Sequence, residues 1–138
     1  MGAGRPRRRG GPTEPGGWFL HDEPELHLAD DVLVPDIAGW RRERMPEMPD
    51  VPFFTLAPDW VCEVLSPATA RYDRGGKLSA YRRAGVGQIW IIDPPAQTLE
   101  IFAAADGLQL TVFSGDARVR AAPFEAIELD LARLWIRR

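Results

Sequence analysis

Three residues combine a chemically useful side chain with a position in an otherwise apolar or glycine-rich stretch: Asp36, Glu63 and Lys77. Asp36 is expected to close a Val-Leu-Val strand, directly after Pro35, and Glu63 interrupts VCEVLS, so both carboxylates are expected in buried strands. An ionised carboxylate in such surroundings is costly unless a cation or strong hydrogen-bond donors meet it. Carboxylates from two adjacent strands can share one cation, and Mg²⁺ prefers one or two carboxylates together with water and phosphate oxygens. The two acids therefore predict a Mg²⁺ site, with Mn²⁺ as a substitute.

Each acid also has a structural explanation. A buried arginine could neutralise Glu63, and the dipeptide Pro35-Asp36 is common in turns. The metal hypothesis depends on the two acids occurring together, 27 residues apart in the chain. Strand alternation places Glu63 and Leu65 on one face and Cys62 on the other, so Cys62 is expected to be a small core residue.

Lys77 is the only lysine among 17 basic residues, and it follows two glycines in DRGGKLSAYRR. A helix is predicted from Asp73, as its N-cap, to Ala84, with Gly85 as the residue that ends it. On that helix Lys77 shares the apolar side with Tyr81 and should point toward the sheet. An ammonium is compact and can lose a proton, which a guanidinium practically cannot. We therefore expect Lys77 to position or activate a water at the metal site; the alternative is a solvated surface lysine.

The elements that must position these residues are strands with one helix between them. Residues 18–40 are expected to form two or three extended segments with a turn at 29–31, and residues 41–54, which hold three prolines, a loop. Strands at 59–66 and 88–93 flank the helix. A meander at 98–104, 108–113 and 117–122 and a short terminal helix at 129–135 follow. This order predicts an α/β sandwich built on a mixed sheet.

Composition narrows the class of protein. The chain of 138 residues is expected to form one domain over residues 18–138, preceded by an arm at 1–17 that is too rich in glycine, proline and arginine to bury a core. Its net charge of −3 argues against an architectural DNA-binding protein more than against an enzyme that acts on DNA.

The compartment is also constrained by composition. The single cysteine excludes an internal disulfide and a cysteine-based zinc cluster. No apolar run approaches the roughly 20 residues of a membrane span, and no hydrophobic segment follows the basic N-terminus. We therefore expect a cytoplasmic protein without membrane contact.

Three segments of the chain form a recognisable set: VLVPDIAGWRRERMP, PFFTLAPDWVCEVLSPATARYDRGGKLSAYRRAGVGQIWIIDP and LDLARLW. Together they resemble the restriction endonuclease family of Uma type, a branch of the PD-(D/E)XK nuclease superfamily. The resemblance implies a restriction-endonuclease-like mixed β-sheet core with flanking helices. It also implies that Asp36 and Glu63 are metal ligands, with the Val64 carbonyl as a third. Leu65 occupies the usual lysine position, so Lys77 would be that lysine displaced onto the helix.

The sequence departs from the family pattern at its N-terminal side. Members usually carry an upstream helix and strand, and we expect this N-terminal helical region to be missing here. A sheet edge would then be exposed, and exposed edges pair, so we expect homo-oligomers. Glu23, Glu25 or His27 could replace an acid that the upstream region often contributes; the alternative is that these are surface residues of a strand edge.

Arginines surround the predicted site in the sequence. We expect them to contact the phosphate backbone of DNA, although a solvated face is the default for any charge run. They are Arg41, Arg42, Arg44, Arg71, Arg74, Arg82 and Arg83. Asp93, before Pro94, is expected to be a structural turn residue.

Together these features predict a Mg²⁺-dependent DNA endonuclease that hydrolyses phosphodiester bonds, with Asp36, Glu63 and Lys77 as catalytic residues. The alternative is a catalytically inactive module with a nuclease fold that binds DNA or a partner. A carboxylate-pair hydrolase acting on sugars fits poorly, because neither acid lies in an aromatic-rich loop cleft.

Overall fold

The computed structural model describes residues 17–66, 73–104 and 107–136. These described residues form ten strands, one α-helix with a π-helical first turn, and one 3₁₀ helix. The strands are β1 (Trp18–Asp22), β2 (Leu26–Leu28), β3 (Asp31–Leu33), β4 (Ile37–Arg41), β5 (Trp60–Val64), β6 (Gln88–Asp93), β7 (Thr98–Ala103), β8 (Gln109–Ser114), β9 (Arg118–Val119) and β10 (Leu129–Asp130). The helices are the π-helical turn Asp73–Lys77, α1 (Leu78–Ala84) and the 3₁₀ helix Leu131–Trp135.

Six strands form one mixed sheet in the order β1-β4-β5-β6-β7-β8. β5 and β6 are parallel, and the segment with α1 connects them; every other neighbouring pair is antiparallel. The predicted mixed-sheet core is thus confirmed. A separate hairpin of β2 and β3 and a small pair of β9 and β10 complete the described strands.

The sheet buries both faces. The helix-side core lies under α1 and the β2–β3 hairpin and includes Trp40, Val61, Leu65, Tyr81 and Ile89. The opposite core includes Trp18, Trp60, Cys62, Trp90 and Leu131. Strand alternation sends successive residues of β5 into the two cores in turn, so the expected division between Val61 and Cys62 is confirmed.

The helix differs from the prediction at its start. Residues 73–77 form a π-helical turn, and the α-helix begins only at Leu78, so Asp73 is not the N-cap of an α-helix. Two adjacent glycines, Gly75 and Gly76, weaken the preference for α-helical geometry there. The predicted end is confirmed: Gly85 adopts a left-handed conformation with φ of 89°, and its N–H donates to the carbonyl of Arg82.

The structure also differs from several of the strand predictions. Residues 18–41 hold four strands rather than two or three, and Asp36 directly precedes β4 instead of closing the strand before it. The segment 117–122 pairs only over two residues, with β10 and not with the main sheet, and the terminal helix is of 3₁₀ type. The predicted loop is confirmed over residues 42–53, since Arg41 still belongs to β4 and Phe54 forms a bridge with Leu26. Of the predicted meander, the first two segments pair as the antiparallel strands β7 and β8.

Some predictions fall outside the described part of the chain or concern assembly. Of the predicted arm at 1–17, only Gly17 is described. β1 and β8 form the two edges of the sheet, and Leu110 and Val112 on β8 are exposed. An exposed apolar edge is consistent with homo-oligomers, which remain a prediction. No helix in the described ranges is long and apolar enough to cross a membrane.

Gly39 on β4 has a packing reason to be glycine. A Cβ there would lie 2.8 Å from Cδ2 of Leu20 and 3.2 Å from the rings of Trp18 and Trp60. We expect Gly39→Ala to lower the free energy of unfolding by about 1–3 kcal/mol, the usual cost of overpacking, measured by thermal denaturation. The control is Gly76→Ala, where a Cβ meets nothing within 4 Å. Equal stability of both variants would contradict the packing argument.

Candidate metal centre

The candidate site lies where β4 and β5 separate. Ile37 pairs with Cys62, and the same antiparallel register places Asp36 opposite Glu63. Residues directly opposite in an antiparallel pair project to the same face of the sheet. Val61, two residues before Glu63, lies in the helix-side core. The two carboxylates therefore come from neighbouring strands and project to the helix side of the sheet.

Beyond the pair of Ile37 and Cys62, the Asp36 side chain replaces the backbone of β4 as the hydrogen-bond partner of β5. Its Oδ2 accepts a hydrogen bond of 2.6 Å from the N–H of Val64. The N–H of the next residue, Leu65, points to the other edge of β5 and donates to the carbonyl of Ile92 on β6. Because the N–H and C=O of one strand residue point to the same edge, the Val64 carbonyl also points toward the β4 side. The Asp36 carboxylate and the Val64 carbonyl thus lie at the opening between the strands, and the Glu63 side chain projects from the adjoining position of β5 to the helix side.

Glu63 is buried, with 5% of its surface exposed. The hydroxyl of Tyr81, on α1, donates a hydrogen bond of 2.6 Å to Glu63 Oε2. The ammonium of Lys77 lies 3.4 Å from the same oxygen. Lys77 is only 23% exposed at its side chain, so the expectation that it points inward is confirmed. The described partners of Glu63 are therefore a tyrosine and the lysine rather than an arginine.

The electrostatics of the site oppose ionisation of Glu63. Burial raises the pKa of the Glu63 carboxyl, and the nearby charge of Asp36 raises it further. The Tyr81 hydrogen bond and the Lys77 charge lower this pKa, but they do not cancel the effect of burial. On the other face, burial raises the pKa of the Cys62 thiol, in keeping with a core residue. A cation beside Asp36 and Glu63 would relieve the repulsion between the two carboxylates.

The donor set fits a hard divalent cation. Carboxylate and carbonyl oxygens are the ligands that Mg²⁺ and Mn²⁺ accept, and Mg²⁺ commonly keeps several waters. No group of three or more His, Cys, Asp or Glu side chains suited to a metal occurs within residues 17–66, 73–104 and 107–136. A cation at Asp36 and Glu63 would therefore depend on the Val64 carbonyl, water and substrate oxygens for the rest of its coordination.

The residues considered as replacements for an upstream acid have other contacts. His27 lies 2.6 Å from Glu25 Oε2 and stacks on Phe53 with ring centroids 4.0 Å apart. Glu23 occupies a turn with φ of 47°, and its N–H donates to the Asp36 carbonyl. Asp93 accepts a hydrogen bond from the Ala96 N–H, as expected of a structural turn residue.

The predicted phosphate-contacting arginines do not form one cluster. Arg41 lies at the far end of β4 from Asp36, about 17 Å away at the rise of a strand, and its guanidinium is 4.6 Å from the centroid of the Trp18 ring. Arg42 follows it, and Arg44 pairs with Asp59 at 2.8 Å.

The helix carries the arginines that are near Lys77. Arg82 is exposed on α1, and Arg83 lies 3.4 Å from Asp31 on β3. Arg71 and the side chain of Arg74 fall outside the described residues.

Tyr81 is the residue of the candidate site that the sequence pattern does not reveal. Its place on the apolar side of the helix indicates packing and not a hydrogen bond. The sequence feature that could have identified the contact is a tyrosine on the inner side of the helix together with a buried acid that needs a hydrogen-bond donor. The tyrosine is fully buried, and its hydroxyl reaches Glu63 across the helix–sheet contact.

Comparison with known proteins identifies the class. A model of the Uma2 family, described as "Putative restriction endonuclease", matches residues 11–132. The chain belongs to this family. It is also similar to a solved protein from Anabaena variabilis that is described as a putative nuclease belonging to DUF820. The two share 26% identity with a TM-score of 0.71, over 86% of this chain and 68% of the other. No curated protein matches the chain.

The raised pKa of Glu63 predicts how stability depends on pH. Its pKa in the folded chain lies above the ordinary value near 4.3, so in the window above that value the folded state binds more protons than the unfolded state. Stability should therefore fall as pH rises through this window.

In metal-free buffer at pH 7, we expect Glu63→Gln to raise the free energy of unfolding by about 1–3 kcal/mol and to remove this pH dependence. The measurement is chemical denaturation in EDTA at several pH values. Glu125→Gln, at an exposed position, is the control and should change neither stability nor slope. A Glu63→Gln protein that is less stable than the parent across the range would contradict the argument.

Proposed function

We propose that this member of the Uma2 family is a Mg²⁺-dependent endonuclease that hydrolyses phosphodiester bonds of DNA. The observation that carries the proposal is the placement of Asp36 and Glu63 on one face of the opening between β4 and β5, with the Lys77 ammonium 3.4 Å from Glu63. Family membership and the likeness to a protein titled as a putative nuclease support the same class of reaction.

In this proposal Asp36, Glu63 and the Val64 carbonyl hold the cation. When bound, Mg²⁺ would supply Lewis-acid stabilisation of negative charge at the scissile phosphate. Tyr81 and Lys77 both contact Oε2 of Glu63 and would hold this carboxylate in place while it binds the cation. Tyr81 fixes the rotamer of Glu63 from α1, which keeps the carboxylate in place when the cation is absent.

Lys77 acts on the attacking water. Its ammonium lies beside Glu63 and on the side of the sheet where substrate would approach, so it can orient a water by hydrogen bonding and stabilise charge on the phosphate. A lysine suits this role because its ammonium is compact and can exchange a proton. Arginine is bulkier, planar and effectively always protonated.

DNA would be held through its backbone. Arg82 and Arg74 belong to the helical segment that carries Lys77, and Arg41 and Arg42 follow the strand that carries Asp36. Contacts from such arginines to phosphates position a duplex without reading its sequence. At about 17 Å from Asp36 along β4, Arg41 and Arg42 would meet phosphates beyond the one that is cut.

A second candidate function is a nuclease-fold module that binds DNA or a partner without cleaving. The observation that favours it is the small acidic set, because the described residues offer no group of three side chains suited to a metal. Metal binding and cleavage separate the two candidates.

Metal binding is tested by calorimetric titration with Mn²⁺ and Mg²⁺. We expect binding that weakens by at least about tenfold in Asp36→Asn, since an amide removes a charge from the oxygen set but can still accept from the Val64 N–H. Asp116→Asn, at an exposed turn, is the matched control and should bind as the parent does. Absence of binding in the parent would count against the nuclease and in favour of the module.

Cleavage is tested by nicking of supercoiled plasmid with Mn²⁺. We expect activity in the parent and its loss in Glu63→Ala and in Lys77→Arg, while the Lys77→Arg variant keeps its fold and nearly unchanged Mn²⁺ affinity. A fall of about 100-fold or more is expected for loss of a group that assists proton transfer. Arg82→Lys is the control for a basic exchange on the same helix. Full activity of Lys77→Arg would refute the catalytic role of the lysine.

A further inference from the structure

A cavity of about 380 Å³ opens beside Lys77, between the β2–β3 hairpin and the start of the helix. β3 and the residue after it form one wall with Val32 and Val34, and the helical segment forms the other with Gly76 and Lys77. Its volume falls in the range of about 300–1,000 Å³ that is usual for small-ligand sites. A Cβ at Gly76 would meet no atom within 4 Å, so the glycine leaves this space open.

The β3 wall exposes apolar side chains without a structural need. Val32 is 63% exposed and Val34 is 47% exposed, and the two lie on the same face of the strand by alternation. Neighbouring Leu33, on the other face, packs against the helix-side core. Two exposed valines therefore lie beside a charged and candidate catalytic group, where an apolar part of a ligand could cover them.

An aromatic pair continues this surface. The register of the hairpin places His27 directly opposite Val32, so their side chains share one face. The His27 ring stacks on Phe53 with an interplanar angle of 5°. Flat, partly exposed rings beside aliphatic side chains are the groups on which nucleic-acid bases stack.

The helix wall carries positive charge. Lys77 and Arg83 line the cavity, and Arg83 reaches across to Asp31 at 3.4 Å. The side chains of this pair are 66% and 38% exposed, and an exposed ion pair contributes little to stability. The guanidinium can thus exchange Asp31 for a phosphate at small cost.

We propose that this cavity and the hairpin face hold an unpaired segment of the DNA strand, with one nucleotide in the cavity next to the scissile phosphate. The valines and the His27–Phe53 pair would contact base and sugar, and Lys77 and Arg83 the phosphates. A paired base presents its polar edge in a groove, for which valine has no donor or acceptor; an unpaired base presents its apolar face. The inference rests on the proposed function and specifies its substrate as DNA that contains unpaired nucleotides.

The experiment measures fluorescence anisotropy of a labelled oligothymidylate and of a duplex of equal length, in EDTA so that no cleavage occurs. We expect the single strand to bind more tightly than the duplex to the parent protein. Val32→Asp should weaken single-strand binding by about tenfold or more, as expected for loss of one base contact combined with a repulsive charge. Val32→Ile, which keeps the apolar surface, should restore the affinity of the parent.

The control is Val112→Asp, the same substitution at a valine of similar exposure on β8, at the other end of the sheet. It should bind the single strand as the parent does. An equal loss in both aspartate variants would reduce the effect to net charge and overturn the proposal, as would duplex binding that equals or exceeds single-strand binding. Absence of any single-strand binding by the parent would overturn it too.

Mn²⁺ titration of the same variants separates this inference from the proposed function. Val32→Asp should bind Mn²⁺ as the parent does, because Val32 is not among the proposed ligands. If the protein binds Mn²⁺ through Asp36 but Val32→Asp leaves its affinity for the oligonucleotide unchanged, the proposed function stands and this inference is refuted. If the parent protein binds no Mn²⁺, the proposed function is refuted. The anisotropy measurement still decides whether this surface binds single-stranded DNA.

Discussion

The structure depends on keeping one carboxylate, Glu63, inside an apolar sheet. The middle of β5 is buried on both faces, and an ionised group there loses its hydration. Two groups from the helical segment offset part of this cost: the Tyr81 hydroxyl and the Lys77 ammonium, both at Oε2. These contacts fasten the helix to the sheet at the point where the candidate chemistry is located. The same interaction therefore orients the helix, fixes the rotamer of the acid and brings the only lysine to the site.

The second acid uses the geometry of diverging strands. Beyond the pair of Ile37 and Cys62 the backbone of β4 no longer meets β5, and the Asp36 side chain receives the Val64 N–H instead. Where β4 and β5 stop pairing, an opening forms between them that is lined by oxygen atoms. Two carboxylates on one face repel each other, and the raised pKa of Glu63 records part of that cost. Such a cost is typical of sites arranged for function rather than for stability.

The two faces of the sheet are covered by different segments of the chain. The C-terminal segment packs on the opposite core, where Leu131 is fully buried and the Trp90 indole donates to the carbonyl of Ala122, and it leaves an apolar cavity of about 190 Å³ lined in part by Trp60 and Phe124. The helix side is closed only in part, by α1 and the β2–β3 hairpin, and the gap between them is the cavity beside Lys77. Each face is thus covered incompletely, and the cavity on the helix side is the one that lies beside Lys77.

The sequence by itself determined the sheet and the candidate acids. Apolar runs fix which residues must be buried, and a carboxylate within such a run demands a partner wherever it is placed, so Asp36 and Glu63 could be identified from type and position alone. Lys77 could be identified because no other lysine occurs and the helical period places it on the inner side.

The sequence did not determine the contacts between elements that are distant in the chain. Hydrophobic periodicity indicates which face of a helix or strand a residue lies on, but not which residue of another element it contacts. Only the tertiary structure decided that Tyr81 is the donor to Glu63, since that bond joins a helix to a strand 18 residues away. The same holds for Asp36, which could close one strand or precede the next until pairing of β4 with β5 set the register. The arginines show the limit most clearly: adjacency in sequence suggested one cluster around the acids, whereas the extended strand places Arg41 at its opposite end. The cavity also depends on tertiary structure, because it lies where the β2–β3 hairpin and the helix, two segments distant in the chain, pack incompletely against each other.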